Sequence, residues 1–305
     1  MTRDSRSTRS LAPAGLIAGA LLGAVTGYRY WRERMARKGS PLTRGGERQV
    51  ALVTGASSGI GREYARQLAA LGYEVILVAR RTERLEALAA EIESRHQVHA
   101  LVVTADLSTE DGIQRVERVL ANTDNLGVLV NNAGLGLNGV FADLDVDDHT
   151  RLIELHVAAT VRLTRAALPA MLEQKRGAIV NVASLMAFYP LYGSSTYGAT
   201  KCYLRSFTEA LHQELVGTGV RAQALCPGFV ETEMQEAAGI DPIPLPDAFW
   251  MSCETVVARS LRDLARDRVV SVAGLGYQVL AAISGWIPRT VLYVTGRALG
   301  RSRGK

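Results

Sequence analysis

The chain has 305 residues, of which 48% are hydrophobic and 21% are charged, and this composition excludes a disordered chain, a collagen-like repeat and a membrane protein with many spans. Its formal net charge of +5 is unevenly distributed: residues 1–48 carry +7, residues 49–288 carry −7 and residues 289–305 carry +5. Because the excess of basic residues lies at the two ends, a nucleic-acid-binding groove in the body of the chain is not expected.

The cysteines and histidines of the chain show no ligand pattern. Cys202, Cys226 and Cys253 are too few and too widely spaced for a disulfide framework or a zinc site. The five histidines have no metal-ligand spacing either. We therefore predict a reduced intracellular protein without a metal site.

The N-terminal segment, residues 1–31, is predicted to anchor the chain in a membrane. Residues 10–28 contain no charged side chain, and a helix of this length nearly spans a hydrocarbon core of about 30 Å. A cleaved secretory signal is the alternative, but no clear cleavage site follows and the next residues are strongly basic. The same basic cluster predicts a single-pass protein whose body, the part of the chain that follows the anchor, lies on the cytoplasmic side.

Glycines occupy every fourth position of this segment, at Gly15, Gly19, Gly23 and Gly27. On a helix they form a stripe along which a second helix can approach closely. Self-association of the anchor and a merely glycine-rich span both fit this pattern. We predict that the chain forms a homo-oligomer.

Residues 32–48 are predicted to be a basic linker, and residues 49–272 to be one α/β domain. The predicted strands are residues 49–54, 74–79, 98–104, 128–131, 178–182, 221–225 and 269–272. The predicted helices are residues 59–71, 82–94, 108–121, 147–174 and 196–216, with one more near Glu254. Strands separated by helices indicate a parallel sheet covered on both faces, which is the doubly wound, Rossmann-type architecture.

Residues 273–305 are predicted to be an apolar and basic tail. Apolar residues recur at helical spacing as far as Trp286, and Pro288 ends or kinks this helix. A helix docked on the core, an interfacial membrane helix and a dimer contact all fit. We favour attachment to the same membrane as the anchor.

A glycine-rich turn joins the first strand to the first helix. Its sequence is Thr54-Gly55-Ala56-Ser57-Ser58-Gly59-Ile60-Gly61, in which glycines let a pyrophosphate approach free helix N–H groups. Further motifs follow in order: Asn131-Asn132-Ala133-Gly134, Ser184, Tyr197-x-x-x-Lys201 and Pro227-Gly228. Over about residues 48–272 this combination resembles the short-chain dehydrogenase/reductase family.

The resemblance implies an oxidoreductase that interconverts a carbonyl and an alcohol by hydride transfer. It implies that Tyr197 is the proton donor and acceptor, that Ser184 holds the substrate oxygen and that Lys201 binds the nicotinamide ribose. Tyr197 and Lys201 are four residues apart and therefore share one helix face. A nearby ammonium is expected to lower the pKa of the phenol from its ordinary value near 10.

One position departs from the family pattern. Where the family often places an Asn that holds a water of the proton relay, this chain has His156. An imidazole can also hold a water, so a catalytic relay role and a packing role both stay open.

The end of the second predicted strand indicates the cofactor. Ala79 stands where an NAD-type acid would bind the ribose 2′-hydroxyl, and we expect no group that repels a 2′-phosphate. Arg80 can pair with that phosphate, so NADP(H) is favoured over NAD(H). The alternative, that these are ordinary surface arginines, applies to Arg81 more than to Arg80. The predicted cofactor-binding residues, most of them implied by the resemblance, are Gly55, Ser57, Ser58, Gly59, Ile60, Gly61, Arg80, Asp106, Leu107, Asn132, Ala133, Gly134, Tyr197, Lys201, Pro227, Gly228, Val230 and Thr232.

Apolar side chains near the predicted site suggest a lipophilic substrate. The predicted substrate-binding residues are Ser184, Met186, Tyr192, Phe249 and Trp250. The predicted partners are therefore a lipophilic carbonyl or alcohol, such as a long-chain ketone or aldehyde, a retinoid or a steroid, and membrane lipid. Packing of a lid is the alternative explanation for these side chains. A catalytically silent NADP(H)-binding membrane scaffold or sensor is the alternative function, although Ser184, Tyr197 and Lys201 are all present.

Overall fold

Seven parallel strands of the described chain form one sheet in the order β3-β2-β1-β4-β5-β6-β7. The computed structural model describes residues 48–234, 246 and 249–285. The strands are β1 Val50–Thr54, β2 Glu74–Ala79, β3 Ala100–Thr104, β4 Leu126–Asn131, β5 Gly177–Val182, β6 Val220–Leu225 and β7 Val270–Ser271. The predicted doubly wound parallel sheet is therefore confirmed.

Eight α-helices accompany these strands in the described part of the chain. They are α1 Gly59–Ala70, α2 Thr82–His96, α3 Glu110–Ala121, α4 Val146–Ile153, α5 Ala159–Glu173, α6 Ser195–Glu214, α7 Cys253–Ala265 and α8 Leu275–Ile283. Helix α3 packs against α5, and α1 packs against α7. Every residue of β1 and β4 is buried, because helices cover both faces of a parallel sheet.

Local side-chain caps determine where several helices begin. The Thr109 hydroxyl accepts a hydrogen bond from the Gly112 N–H at the start of α3. The Ser252 hydroxyl accepts one from the Thr255 N–H at the start of α7. Such caps satisfy N–H groups that have no partner within the helix.

The predicted helix 147–174 is interrupted in the structure. A π-helical turn, Glu154–Ala158, separates α4 from α5, and His156 lies in this turn with only 1% of its surface exposed. A π-turn inserts one residue into the helical repeat, and such turns are frequent at functional sites. The apolar periodicity of the sequence contains no signal for this interruption.

The strand order places a crevice at the carboxyl edge of the sheet. From β1 the chain proceeds through β2 and β3 on one side and then crosses to β4 on the other side. In open α/β sheets, ligands bind where the strand order reverses in this way. The loops after β1, β4, β5 and β6 meet at this edge.

The C-terminal helix α8 docks on the domain through Tyr277. This side chain is 6% exposed and packs with Leu204 and Cys226. Its hydroxyl donates a hydrogen bond to the Phe249 carbonyl over 2.7 Å and accepts one from the Phe229 N–H over 3.3 Å. One side of α8 therefore packs on the core, which is one of the three arrangements expected for the tail.

The predicted membrane anchor at residues 10–28, most of the predicted linker and residues 286–305 lie outside the described residues. Among the helices that the structure describes, none combines the length and the apolar character that crossing a membrane requires.

Candidate active site

A cleft of about 330 Å³ lies at the carboxyl edge of the sheet. It brings together the glycine-rich turn after β1, the end of β2, and the segments that follow β4, β5 and β6. The predicted site residues that line it are Gly55, Ser57, Ser58, Gly59, Ile60, Arg80, Asp106, Leu107, Asn132, Ala133, Gly134, Ser184, Tyr197, Lys201, Pro227, Gly228, Val230 and Thr232. Gly61 and His156 lie behind this lining.

The glycine-rich turn is tied to the segment that follows β4. The Thr54 hydroxyl accepts hydrogen bonds from the N–H groups of Asn132 and Ala133, each over 2.9 Å. The Asn132 side-chain amide donates to the Thr54 carbonyl over 3.0 Å. Gly55 has a φ of +66°, a left-handed conformation that glycine adopts without steric cost. The two loops therefore form one rigid wall of the cleft.

Helix α1 begins beside this wall and has no side-chain cap. Ser58 is its N-cap residue, but its side chain makes no capping hydrogen bond. The first N–H groups of a helix have no partner within it, and they attract anions. The uncapped start of α1 and the glycine backbone beside it fit a dinucleotide diphosphate.

Ser184, Tyr197 and Lys201 converge at the end of β5. Ser184 follows β5, and the other two lie one turn apart on α6. The Ser184 side chain is hydrogen-bonded to the Tyr197 side chain. The Lys201 Nζ donates to the Val182 carbonyl over 2.9 Å and lies 5.5 Å from the centre of the Tyr197 ring. The geometry places a hydroxyl, a phenol and an ammonium side by side.

Burial determines the proton affinities in this cluster. Burial raises the pKa of Tyr197 above its ordinary value, and the hydrogen bond with Ser184 only partly opposes this. Burial also lowers the pKa of Lys201 to about 8. The net shift of the Tyr197 pKa is therefore upward, opposite to the direction that the spacing of Tyr197 and Lys201 alone predicts, because burial disfavours the charged phenolate. Tyr197 is protonated at neutral pH.

Both ring nitrogens of His156 have protein partners. The Nε2 atom accepts a hydrogen bond from the Leu135 N–H over 3.2 Å. The Nδ1 atom lies 2.9 Å from the Thr200 hydroxyl, which itself donates to the Tyr197 carbonyl. Burial and the charge of Lys201 keep the pKa of His156 well below its ordinary value, so the ring is neutral.

A neutral imidazole offers one donor and one acceptor, and His156 uses both within the protein. To hold a relay water at a ring nitrogen, it would have to give up one of these contacts. The ring instead connects Leu135, in the loop after β4, to Thr200 on the helix that carries Tyr197. This arrangement fits a positioning role.

We expect His156→Ala to lower kcat/KM by about 10- to 100-fold, because it leaves the half-buried Leu135 N–H and the buried Thr200 hydroxyl without this partner, and such a loss costs about 1–3 kcal/mol. His156→Asn should stay within a few fold of the wild type, since an amide also donates and accepts. Steady-state kinetics and thermal unfolding of both variants test this. Wild-type rates in both variants would remove His156 from the mechanism.

The arginine that contacts the glycine-rich turn is Arg81. Its Nε and Nη2 atoms donate to the Ser57 hydroxyl over 3.2 and 3.0 Å, and Nη2 also donates to the Ser58 hydroxyl over 2.8 Å. The side chain of Arg80 is 61% exposed, and its Nη1 atom lies 3.9 Å from Asp106. Both arginines line the cleft, and the side chain of Arg81 is 43% exposed.

Several residues that line the cleft could not be predicted from the sequence. Glu233 lines the cleft, and its carboxylate contacts Arg81 over 2.9 Å. The sequence at the end of β2 contains no acid, but the fold brings this carboxylate to it from a distant segment of the chain. Arg151 donates to Ser108 over 3.2 Å and lies 3.5 Å from Asp106, so it reaches the cleft from α4. These residues belong to no motif, and their spacing in the chain gives no sign of their proximity.

Of the predicted substrate residues, only Ser184 lines the cleft; Met186, Tyr192, Phe249 and Trp250 do not. The Trp250 ring packs on Phe229, with 5.6 Å between ring centres, and the Phe249 carbonyl accepts from Tyr277. Phe249 thus contacts α8 through its carbonyl, and Trp250 contacts Phe229, the residue that follows the Pro227-Gly228 turn. Much of the segment between Thr232 and Phe249 lies outside the described residues.

Comparisons with known proteins agree with this geometry. The sequence model of a family described as short chain dehydrogenase matches residues 49–242. The very-long-chain 3-oxoacyl-CoA reductase-B of Danio rerio is 31% identical over 299 residues, which cover 94% of this chain and 91% of its own. Sulfoacetaldehyde reductase 2 of Chromohalobacter salexigens is 41% identical over 187 residues, covering 60% and 73%. A short-chain dehydrogenase from Sphingobium yanoikuyae in complex with NADPH superimposes with a TM-score of 0.73 at 35% identity, covering 81% of this chain and 95% of that one.

Proposed function

The chain belongs to the short chain dehydrogenase family, and we propose that it transfers hydride between NADP(H) and a lipophilic carbonyl or alcohol. The observation that carries this proposal is the convergence of Ser184, Tyr197 and Lys201 on a cleft whose other end holds the glycine-rich turn. A catalytic cluster beside a diphosphate-binding turn is what a dinucleotide-dependent reaction requires.

The residues present fit a dinucleotide. A Cβ added at Gly61 would lie 2.3 Å from the Gly55 carbonyl oxygen, so the turn needs its glycines to place helix α1 beside β1. The N–H groups at the start of α1 would bind the diphosphate, and Lys201 would hold the nicotinamide ribose. When bound, the nicotinamide supplies or accepts the hydride.

The protein's own groups move the proton. In reduction, the protonated Tyr197 phenol donates its proton to the carbonyl oxygen, and the Ser184 hydroxyl holds that oxygen by a hydrogen bond. The ammonium of Lys201 stabilises the phenolate that remains. Because burial keeps Tyr197 protonated at neutral pH, its phenol can act as the acid when a carbonyl substrate is reduced.

The pH dependence follows from the lowered pKa of Lys201. Below about 8, Lys201 is charged, and above this value it progressively loses its proton. We expect kcat/KM for reduction to be level up to a pH of about 8 and then to fall about tenfold per pH unit, since this ratio reports groups of the free enzyme. In Lys201→Arg, which stays charged, the fall should move to higher pH. A wild-type profile that stays level to a pH of about 10 would contradict this assignment.

The preference for NADP(H) is proposed to rest on Arg81 together with Arg80. Both side chains lie at the end of β2 and line the cleft, where a 2′-phosphate can form charge-assisted hydrogen bonds. Each such bond contributes about 1.5–3 kcal/mol.

We therefore expect Arg81→Ala to raise the KM for NADPH by about 10- to 100-fold and to leave the KM for NADH within about twofold. Arg95→Ala is the matched control, because Arg95 lies on the exposed surface of α2 and pairs with Glu91. Equal effects of Arg81→Ala on the two cofactors would refute a phosphate contact.

A lipophilic substrate is supported by two observations. Helix α8, which packs beside the Pro227-Gly228 turn, exposes Leu275, Val279 and Ile283 at 80%, 58% and 40%. In addition, one relative is named for very-long-chain 3-oxoacyl-CoA. Another relative is named for the small polar sulfoacetaldehyde, so the length of the substrate is the property to test.

The proposed location is a membrane surface. Residues 10–28 anchor the chain, residues 32–48 link the anchor to the catalytic domain at residues 49–272, and this domain lies on the cytoplasmic side. The exposed apolar face of α8 and the basic residues of the 273–305 tail contact lipid of the same membrane, since such faces bind anionic lipid surfaces. The charge distribution of the sequence supports this arrangement.

A homo-oligomer is proposed on the face formed by α4, α6 and the π-turn between α4 and α5. An open groove there is lined mainly by apolar side chains, with Phe141, Ile153 and Tyr203 at 60%, 45% and 41% exposure. Exposed apolar patches of this kind mark protein contacts, and a second copy of the chain is the occupant proposed here.

The experiment is NADPH oxidation by the full-length chain in membranes, with ketones, aldehydes and 3-oxoacyl thioesters of increasing chain length. We expect activity that falls about 10³-fold in Tyr197→Phe and a kcat/KM that rises with chain length, since each buried methylene contributes about 0.8 kcal/mol. Activity on small polar carbonyls alone would reject the lipophilic substrate. NADPH binding without turnover of any substrate would support a silent scaffold instead.

A further inference from the structure

Glu233 places a carboxylate among the arginines at the end of β2. Its Oε2 atom lies 2.9 Å from the Arg81 Nη1 atom. The Arg84 Nη1 atom donates to both carboxylate oxygens, over 2.8 and 2.7 Å. Arg81 and Arg84 hold the pKa of Glu233 below its ordinary value, so this carboxylate is charged at neutral pH.

The side chain of Thr232, the residue before Glu233, lies against the glycine-rich turn. A Cβ added at Gly59 would lie 3.1 Å from the Thr232 Cγ2 atom, so the two segments are in van der Waals contact. Glu233 therefore lines the same cleft as Ser57 and Ser58, and Arg81 contacts all three.

The guanidinium N–H groups of Arg81 donate both to the glycine-rich turn and to the Glu233 carboxylate. Its Nε and Nη2 atoms donate to the two serine hydroxyls, and its Nη1 atom donates to Glu233. A guanidinium has five N–H donors in one fork and no acceptor. Carboxylate and phosphate oxygens both bind such a guanidinium. A phosphate that approaches Arg81 therefore finds part of the guanidinium already paired with the Glu233 carboxylate.

We propose that Glu233 is a specificity-determining residue that competes with the 2′-phosphate of NADPH for Arg81. The phosphate must displace the carboxylate or bind beside its negative charge, whereas NADH lacks the phosphate and does not meet this competition. Glu233 therefore holds the affinity for NADPH below the value that the arginines alone would give. This inference rests on the proposed NADP(H) function.

The expected effect is moderate because the ion pairs are partly in water. The side chains of Arg81, Arg84 and Glu233 are 43%, 49% and 49% exposed. Exposed pairs of this kind contribute little each, since water and salt screen them. Removing the charge of Glu233 should therefore tighten binding of the phosphate about fivefold.

The experiment measures ligand binding to the full-length protein by calorimetry. NADPH and NADH are the first pair of ligands, and 2′,5′-ADP and 5′-AMP are a second pair that also differs by the 2′-phosphate. Glu233→Gln removes the charge and keeps the shape of the side chain. Glu231→Gln is the matched control, because it removes an exposed carboxylate two residues away on the same segment.

We expect Glu233→Gln to tighten NADPH and 2′,5′-ADP about fivefold, with NADH, 5′-AMP and every ligand of Glu231→Gln unchanged. The gain should disappear when Arg81→Ala is added. The proposal would be overturned if Glu233→Gln tightened all four ligands equally or changed none of them. It would also be overturned if the variant bound the 2′-phosphate ligands more weakly, because Glu233 would then serve to orient Arg81. If the wild type binds NADH better than NADPH, the proposed preference for NADP(H) is wrong. The ratio of the 2′,5′-ADP and 5′-AMP affinities still tests the role of Glu233 in that case.

Discussion

Replacing Tyr197 by Phe is expected to lower kcat for carbonyl reduction by about 10³-fold while the Kd for NADPH stays within about twofold. A positioned general acid contributes about 10²–10⁴-fold, and this substitution removes only the phenolic hydroxyl. The ring stays in place beside His156, with 5.8 Å between ring centres. The loss should therefore appear in kcat and leave the cofactor site intact.

The matched control is Tyr203→Phe on the same helix. Tyr203 is 41% exposed and its ring stacks on Phe207 at 5.8 Å between centres. It lines the groove proposed for a second copy and not the cleft, and Phe keeps the ring in that groove. Steady-state kinetics and NADPH titration of both variants separate the loss of a proton donor from a general effect on α6. If Tyr197→Phe kept a tenth or more of the wild-type kcat, another group would have to supply the proton.

The fold follows from local patterns that each element carries by itself. The strands β1 and β4 are mainly apolar in the sequence, and all their residues are buried. Helix α3 carries its own cap at Thr109. Because these signals are local and agree with one another, the element order and the doubly wound parallel sheet could be predicted from the sequence.

The catalytic cluster and the glycine-rich turn were also predictable, because their residues lie in short motifs at strand ends. Arg81 and Glu233 were not, since they are 152 residues apart and a contact between distant residues has no local signature. The raised pKa of Tyr197 could not be predicted either, because it depends on burial. The spacing of Tyr197 and Lys201 alone predicted a lowered pKa for Tyr197.

The π-turn around His156 shows the same limit. The inserted residue changes the direction of side chains only within the π-turn, and the apolar residues on either side keep helical spacing. His156 is turned inward because the loop after β4 and helix α6 offer a donor and an acceptor on its two sides. This stabilisation comes from tertiary contacts, so it cannot be derived from the helix sequence.

Gly61→Ala is expected to lower the free energy of unfolding by about 3 kcal/mol and to weaken NADPH binding strongly. The added Cβ would lie 2.3 Å from the Gly55 carbonyl oxygen and 2.4 Å from the Asn132 side-chain nitrogen. The first neighbour is backbone and the second is held by its hydrogen bond to Thr54. Helix α1 must therefore move away from β1, and overpacking of this kind costs about 1–3 kcal/mol or more.

The control for this substitution is Gly276→Ala, which adds the same methyl group to another helix. Gly276 lies within α8, and its added Cβ would meet no atom within 4 Å, so the better helix propensity of Ala should stabilise the chain by up to about 1 kcal/mol. Urea unfolding and NADPH titration of both variants provide the comparison. A Gly61→Ala protein with the wild-type unfolding midpoint and NADPH affinity would show that α1 tolerates a methyl group there. The close approach of α1 to β1 would then not be what forms the diphosphate site.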